Sequence, residues 1–171
     1  MFFPAEPSNS AAWVEKPFLL ITGVCILLLL AVILPMIYFL IKYNERKSPK
    51  ASPTMEHPML EITWTVIPML LVIWMFYIGT TNFYNIRNAP PDTINIKVNG
   101  KQWKWSFLYA NGKQSGNLRV PVGKPVKLIM TSSDVIHSFF IPAFKFKEDV
   151  VPGMETHMWF TADRPGTYDI F

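Results

Sequence analysis

The sequence predicts a membrane α-helical hairpin of two transmembrane helices followed by an external all-β domain. Three observations lead there. Half of the 171 residues are apolar, more than a soluble domain of this size needs. Two separate stretches of about 25 residues carry no charge, each long enough to cross a bilayer. Beyond about residue 92 the pattern changes to short alternating segments broken by Gly, Pro and Asn.

Residues 1–16 form a short tail with a single basic residue near its end, Lys16. The first span, taken as 17–43, is built on "PFLLITGVCILLLLAVILPMIYFLI", bounded by Lys16 and Lys42. At the rise of an α-helix such a run is about 37 Å long, enough to cross with some tilt. It is too long, and its N-terminal flank too weakly basic, for a cleaved signal peptide. Pro35 inside it predicts a kink, which membrane helices tolerate. Cys25 lies in the same run as a small apolar residue. As the sole cysteine it excludes a disulfide framework or a CxxC-type metal site.

The connector, 44–60, is polar and carries Arg46, Lys47 and Lys50, with Lys42 just before it. Excess Lys and Arg mark cytoplasmic loops, so the connector is expected in the cytoplasm and both ends of the hairpin outside. The second span, 61–87, contains "ITWTVIPMLLVIWMFYIGTTNFYNI", with Pro68 inside and aromatic residues suited to the interface.

Residues 88–171 read as short strands about ten residues apart, which predicts a β-sandwich or Greek-key barrel. "TINIKVNG" alternates and then reaches Asn-Gly, a turn signal. "QWKWSFLYANG" places Trp103, Trp105, Phe107 and Tyr109 at alternate positions of one face and again ends at Asn-Gly. "NLRVPVG", "KPVKLIMTSS", "THMWFTA" and "GTYDIF" are expected to continue the series, the last as an edge strand left unfinished. From Asp92 onward there are ten Lys or Arg against seven Asp or Glu, a net charge of +3. No run of basic residues occurs, which argues against nucleic acid as a partner.

Five motifs, in order, carry a resemblance to a known family: "LEITWTVIP" (60–68), "GKQWKWSF" (100–107), "SSDVIHSFFIP" (132–142), "KEDVVPG" (147–153) and "RPGTY" (164–168). Together with the hairpin layout they resemble subunit II of the haem–copper respiratory oxidases. The resemblance is detailed over the last two-thirds of the chain and extends to the first span by layout only. It implies that the β-domain is cupredoxin-like. In cytochrome c oxidases that domain holds a dinuclear copper centre, CuA, which takes electrons from cytochrome c. It passes them to haem in subunit I, which also holds CuB, for O2 reduction coupled to proton translocation. Oxidase subunits I and III would be the partners, and the bacterial inner membrane or its equivalent the location. The β-domain would then lie on the outer, periplasmic side.

By this resemblance His137 is the first copper ligand. The other family ligands follow the R-P-G-x-Y segment, and the sequence stops at Phe171 before them. Trp103 matches the electron-entry tryptophan. Glu61 matches a carboxylate at the cytoplasmic mouth of a proton pathway. Asp134 matches an acid of the donor-docking face, and Asp149 one near subunit I and its magnesium site. From the residues alone each has a plainer reading: His137 a core histidine, Trp103 a strand-face aromatic, Glu61 an interfacial end residue, and both aspartates solvated. Lys101, Lys104 and Met154 depart from the family pattern, standing where it has His, Tyr and Arg. Family docking faces for basic cytochromes are acidic, whereas Lys101, Lys104, Lys113, Lys145 and Lys147 are basic. The donor expected is therefore an acidic or neutral cytochrome, or one held permanently in a larger assembly. Two other readings remain open. One is a copper-less subunit II of a quinol oxidase, in which the domain is structural. The other is an unrelated membrane-anchored β-domain that binds a partner.

Overall fold

The computed structural model describes residues 7–44 and 55–171. The connector residues Arg46, Lys47 and Lys50, and tail residues 1–6, lie outside the described residues. Two helices are followed by seven strands: α1 (Asn9–Lys42), α2 (Pro58–Arg87), β1 (Ile94–Lys101), β2 (Lys104–Tyr109), β3 (Gln114–Ser115), β4 (Pro125–Ser132), β5 (His137–Ile141), β6 (Phe146–Val150) and β7 (Thr156–Thr161). The chain divides into two compact units. Pro17–Gly79 form one; the described residues up to Lys16 join Thr80–Phe171 in the other.

In the helical unit both helices are long and apolar enough to cross a membrane. Neither has a polar face to turn toward water. Leu27, Val32, Leu40, Ile62, Leu70 and Phe76, for example, are all exposed on the chain alone. A helix apolar all round needs lipid or another chain around it. Pro35 and Pro68 lie within the helices, as membrane helices allow. At the start of α2, Thr63 donates to the Met59 carbonyl (2.7 Å) and Thr65 to that of Glu61 (2.9 Å). These bonds occupy hydroxyls that lipid could not satisfy. α1 starts at Asn9, so part of the expected 1–16 tail is already helical.

That first part of α1 belongs to the β-unit and is stitched to it. Ser10 is buried and donates to the Phe144 carbonyl (3.1 Å), and the Asn9 carboxamide accepts the Thr161 amide (2.8 Å). Trp13 packs on Trp159 with ring centroids 5.1 Å apart, and Glu15 pairs with Lys145. The end of α2 is held likewise. Arg87 bonds Glu148 at 2.9 Å, and the Trp159 indole donates to the Asn85 carbonyl at 3.0 Å.

The strands form a five-stranded sheet, order β3-β2-β1-β4-β7, faced by the β5-β6 pair. β1 runs parallel to β4 and antiparallel to β2. Alternation works as expected. In β4 Val126, Leu128, Met130 and Ser132 point inward. Phe107 and Phe139 meet between the sheets, centroids 6.3 Å apart and nearly perpendicular. Aromatic rings favour this edge-to-face geometry.

Several sequence expectations need correction. "NLRVPVG" forms no strand and keeps one bridge, Val122 to Ala162. Pro121 has no N–H for a ladder, and Gly123 turns the backbone to φ +75. "GTYDIF" is no strand either, although Phe171 and Phe140 exchange both backbone bonds at 2.9 Å. A single pair makes no ladder. Trp103 does not share the inner face with Trp105 and Phe107. The chain reverses between Lys101 and Lys104, and Gln102 and Trp103 form that turn, their shared peptide cis. Of the two Asn-Gly pairs, only Asn111-Gly112 is a turn, with Gly112 at φ +80.

Gly100 instead lies inside β1, opposite Trp105. A Cβ there would come within 2.9 Å of Trp105 Cζ3 and 3.1 Å of His137 Cδ2. Two rings lie over bare backbone, so the position requires glycine for space.

Two outcomes test this packing by chemical denaturation in detergent. Phe139→Ala, at a site with 0% exposure, is expected to destabilise the β-unit by about 3–5 kcal/mol. Gly100→Ala is expected to cost about 1–3 kcal/mol through overpacking and to displace the His137 ring. An unchanged midpoint in the second variant would contradict the close approach of the rings.

Candidate functional site

The parallel β1–β4 pairing ends with Gly100 beside Ser132. The β1–β2 turn and the β4–β5 loop therefore emerge side by side at one end of the sandwich. They are tied together immediately. The Ser133 amide donates to the Gly100 carbonyl (3.0 Å), and the Ser133 hydroxyl to the Asn99 carboxamide oxygen (2.6 Å).

Asp134 makes the central link. One carboxylate oxygen accepts the Gln102 amide at 2.7 Å, and the other lies 2.6 Å from His137 Nε2 and accepts the Val135 amide at 2.8 Å. Ser132 bonds the same oxygen at 3.3 Å and also bonds the Val135 carbonyl. The Gln102 amide first, and His137 second, hold the Asp134 carboxyl well below the usual carboxylate range. One side chain thus connects the turn bearing Trp103 to the histidine.

His137 opens β5, and its side chain is 18% exposed. Its ring stands edge-on to Trp105 (5.8 Å, 68°), and Trp105 is edge-on to Phe139 (4.9 Å). Gly100 supplies the floor. The plain core reading of His137 is only half right: it is packed among aromatics, yet it lies at the rim. With Nε2 engaged by a carboxylate, Nδ1 is the nitrogen left for a metal, the usual arrangement for a ligating imidazole.

Among the described residues no group of three or more His, Cys, Asp or Glu could hold a metal ion. Cys25 is in α1, in the other unit. His157 is engaged with the Arg87 carbonyl (3.3 Å). The described residues thus bring one partly exposed imidazole, His137, to this rim and no complete metal site.

The other candidates lie apart from this cluster or at its edge. Trp103 is 95% exposed at the tip of the turn, so it is no strand-face aromatic. Asp149 is on β6 and accepts a bond from Ser138, the neighbour of His137 (2.9 Å). Glu61 is exposed in the first turn of α2, where a carboxylate complements the helix dipole. Of the five lysines singled out, only Lys101 and Lys104 flank Trp103. Lys113 lies at the far end of β2, Lys145 pairs with Glu15, and Lys147 lies within β6. Sequence reasoning missed the clamping role of Asp134 and the spatial role of Gly100. The spacing of Asp134 three residues before His137 was visible, but its bond to Gln102 joins residues 32 apart in the chain.

Comparison with known proteins agrees with this architecture. Residues 3–80 match the family described as "Cytochrome C oxidase subunit II, transmembrane domain", and residues 113–169 match "Cytochrome C oxidase subunit II, periplasmic domain". The cytochrome c oxidase subunit 2 of Alkalihalophilus pseudofirmus is 35% identical over 92% of this chain and 49% of its own length. A probable cytochrome c oxidase subunit 2 of Rickettsia bellii is 30% identical, over 96% of this chain and 69% of its own. The crystal structure of the periplasmic domain of Bradyrhizobium japonicum subunit II is 34% identical, covering 47% of this chain and 72% of that one, with a TM-score of 0.44. The chain spans about half the length of the first of these relatives. Two spans matching the transmembrane model make it a membrane protein. With the transmembrane and β-domain models both matched in order along one chain, it belongs to the cytochrome c oxidase subunit II family.

Proposed function

We propose that the chain serves as subunit II of a respiratory cytochrome c oxidase. It would accept electrons from cytochrome c at its β-domain, near a dinuclear copper centre to which His137 contributes one ligand. Haem in subunit I would receive them, for O2 reduction coupled to proton translocation. The observation that carries this reading is the Asp134 bridge. It holds an exposed indole turn and an imidazole rim in fixed relation through bonds of 2.7 Å and 2.6 Å. A turn that only closed a hairpin would need neither the carboxylate nor the exposed tryptophan.

Trp103 is then the entry point for electrons. Asp134 serves the docking face by holding the Trp103 turn in place. Asp149 lies toward subunit I, and the apolar helices pack against that subunit's helices. Glu61 lies at the mouth of a proton pathway, where a titratable carboxylate can collect protons. The β-domain faces the periplasm and the basic connector the cytoplasm, by the excess of Lys and Arg in the connector.

Copper analysis of the purified oxidase complex tests the ligand. Copper is expected, and His137→Ala is expected to lower its occupancy; a protein free of copper would support the copper-less quinol-oxidase reading instead. Asp134→Asn tests the bridge. It should speed hydrogen exchange at the Gln102 amide and leave the buried β4 amides unchanged; equal protection in both proteins would remove the bridge from the account.

A further inference from the structure

The tripeptide Asn-Gly-Lys occurs twice, at 99–101 and at 111–113. In an Asn-Gly pair the main-chain nitrogen of glycine can attack the asparagine carboxamide, since glycine has no side chain to obstruct the ring that closes. Fold, and not local sequence, then decides which copy reacts. The structure treats the two copies oppositely.

Asn99-Gly100 lies within β1, which is paired with β2 on one side and β4 on the other. Gly100 is buried, and Trp105 and His137 fill the space where a Cβ would stand. The Asn99 carboxamide oxygen is held by the Ser133 hydroxyl (2.6 Å). Ring closure there requires the strand to leave the sheet. Asn111-Gly112 lies in the exposed turn between β2 and β3. Gly112 is at φ +80, and nothing but its chain neighbours lies within 4 Å of where a Cβ would stand. The Asn111 carboxamide oxygen accepts the Lys113 amide at 3.0 Å. That donor polarises Cγ and faces the oxygen on which negative charge develops during attack. One bond opposes the reaction: the Gly112 amide donates to the Tyr109 carbonyl at 2.9 Å. A bond in an exposed turn opens locally, whereas bonds inside a sheet open only with the unit around them.

We propose that Asn111 is a site of spontaneous covalent modification, converted to aspartate and isoaspartate through a cyclic imide with Gly112, while the sheet protects Asn99. Water is the co-reactant. Hydroxide takes the Gly112 amide proton, and the nitrogen bonds to Asn111 Cγ. The Cγ–Nδ2 bond breaks, and ammonia leaves with a proton drawn from water, which restores the hydroxide. Water then adds to one of the two imide carbonyls and the ring opens. Opening at one carbonyl gives aspartate; opening at the other gives isoaspartate, whose main chain runs through the former side chain. No atom is oxidised or reduced.

Either product puts a carboxylate beside Lys113 where a neutral carboxamide stood. Isoaspartate also lengthens the main chain in a turn whose strand β3 is held by two residue pairs, Phe107 with Ser115 and Leu108 with Gln114. β3 is therefore the element that the change loosens. The length of β2, about 17 Å, separates this turn from the one bearing Trp103. The modification is thus independent of the oxidase reading and leaves the Asp134 bridge intact.

The full chain in detergent can be held at mildly alkaline pH, sampled over time and digested with trypsin at lower pH. Asn99 falls in the peptide 98–101 and Asn111 in 105–113. Mass spectrometry, with methylation by an isoaspartate-specific methyltransferase, reads the products. Conversion at Asn111 is expected to be at least about tenfold faster than at Asn99, and faster still as pH rises. Unfolding the chain in urea should bring the two rates together. Equal rates in the folded chain would overturn the proposal, as would faster conversion at Asn99 or an Asn111 that converts only in urea. A difference that persists in urea would remove the sheet from the account. In the aged chain, hydrogen exchange should quicken at Ser115 and stay unchanged in β4; undiminished protection at Ser115 would overturn the loosening of β3.

Discussion

The parallel pairing of β1 with β4 is the constraint on which the β-unit depends. It aligns Ile94 with Val126 and Gly100 with Ser132, strands about 30 residues apart in sequence. Closing so long a loop costs chain entropy, which only burial of the shared face repays. That face is Ile96 and Val98 on β1 and Val126, Leu128 and Met130 on β4, all at most 1% exposed. Once the pair is aligned, the two strand ends, and the turn and loop that leave them, must lie side by side. The bonds from Asp134 and Ser133 then need only short reach. Functional geometry at the rim is a consequence of register in the core.

The rim shows how burial and polarity divide the work. Phe139 and Trp105 anchor the inner side by edge-to-face packing. His137 lies above them, with its carbon atoms over Gly100 and its Nε2 toward Asp134. An imidazole placed this way has one apolar side and one directed nitrogen, so its orientation is determined without a metal. Trp103 is the opposite case. A large indole left in solvent contributes nothing to the core, and its exposure contrasts with half-buried Trp105 and buried Phe107 further along β2.

The helices follow a different rule. They are apolar all round, so their stability comes from surroundings other than the β-unit core. Their ends that belong to the β-unit are nevertheless firmly attached. Asn9, Ser10 and Trp13 hold the start of α1, and Asn85 and Arg87 hold the end of α2. Apart from the packing of Trp13 on Trp159, each attachment pairs a polar group at a helix end with a strand or loop of the domain. Such anchors satisfy backbone and side-chain groups that would otherwise lie between lipid and protein without partners.

The sequence by itself determined the two spans, the β-rich domain and the identity of the candidate residues. Charge-free length and period-two alternation are local properties, legible in any short window. It also specified the family through five ordered motifs. Its alternation put Trp103 on one strand face with Trp105 and Phe107 and read Asn99-Gly100 as a turn, because alternation does not show where a strand reverses. Only the tertiary structure decided that Gly100 makes room for Trp105 and His137, and that Asp134 joins the Trp103 turn to the histidine. It alone separated Lys101 and Lys104 from the lysines paired or placed elsewhere. Those facts depend on contacts between residues tens of positions apart, and such contacts are set by strand register, which no local pattern records.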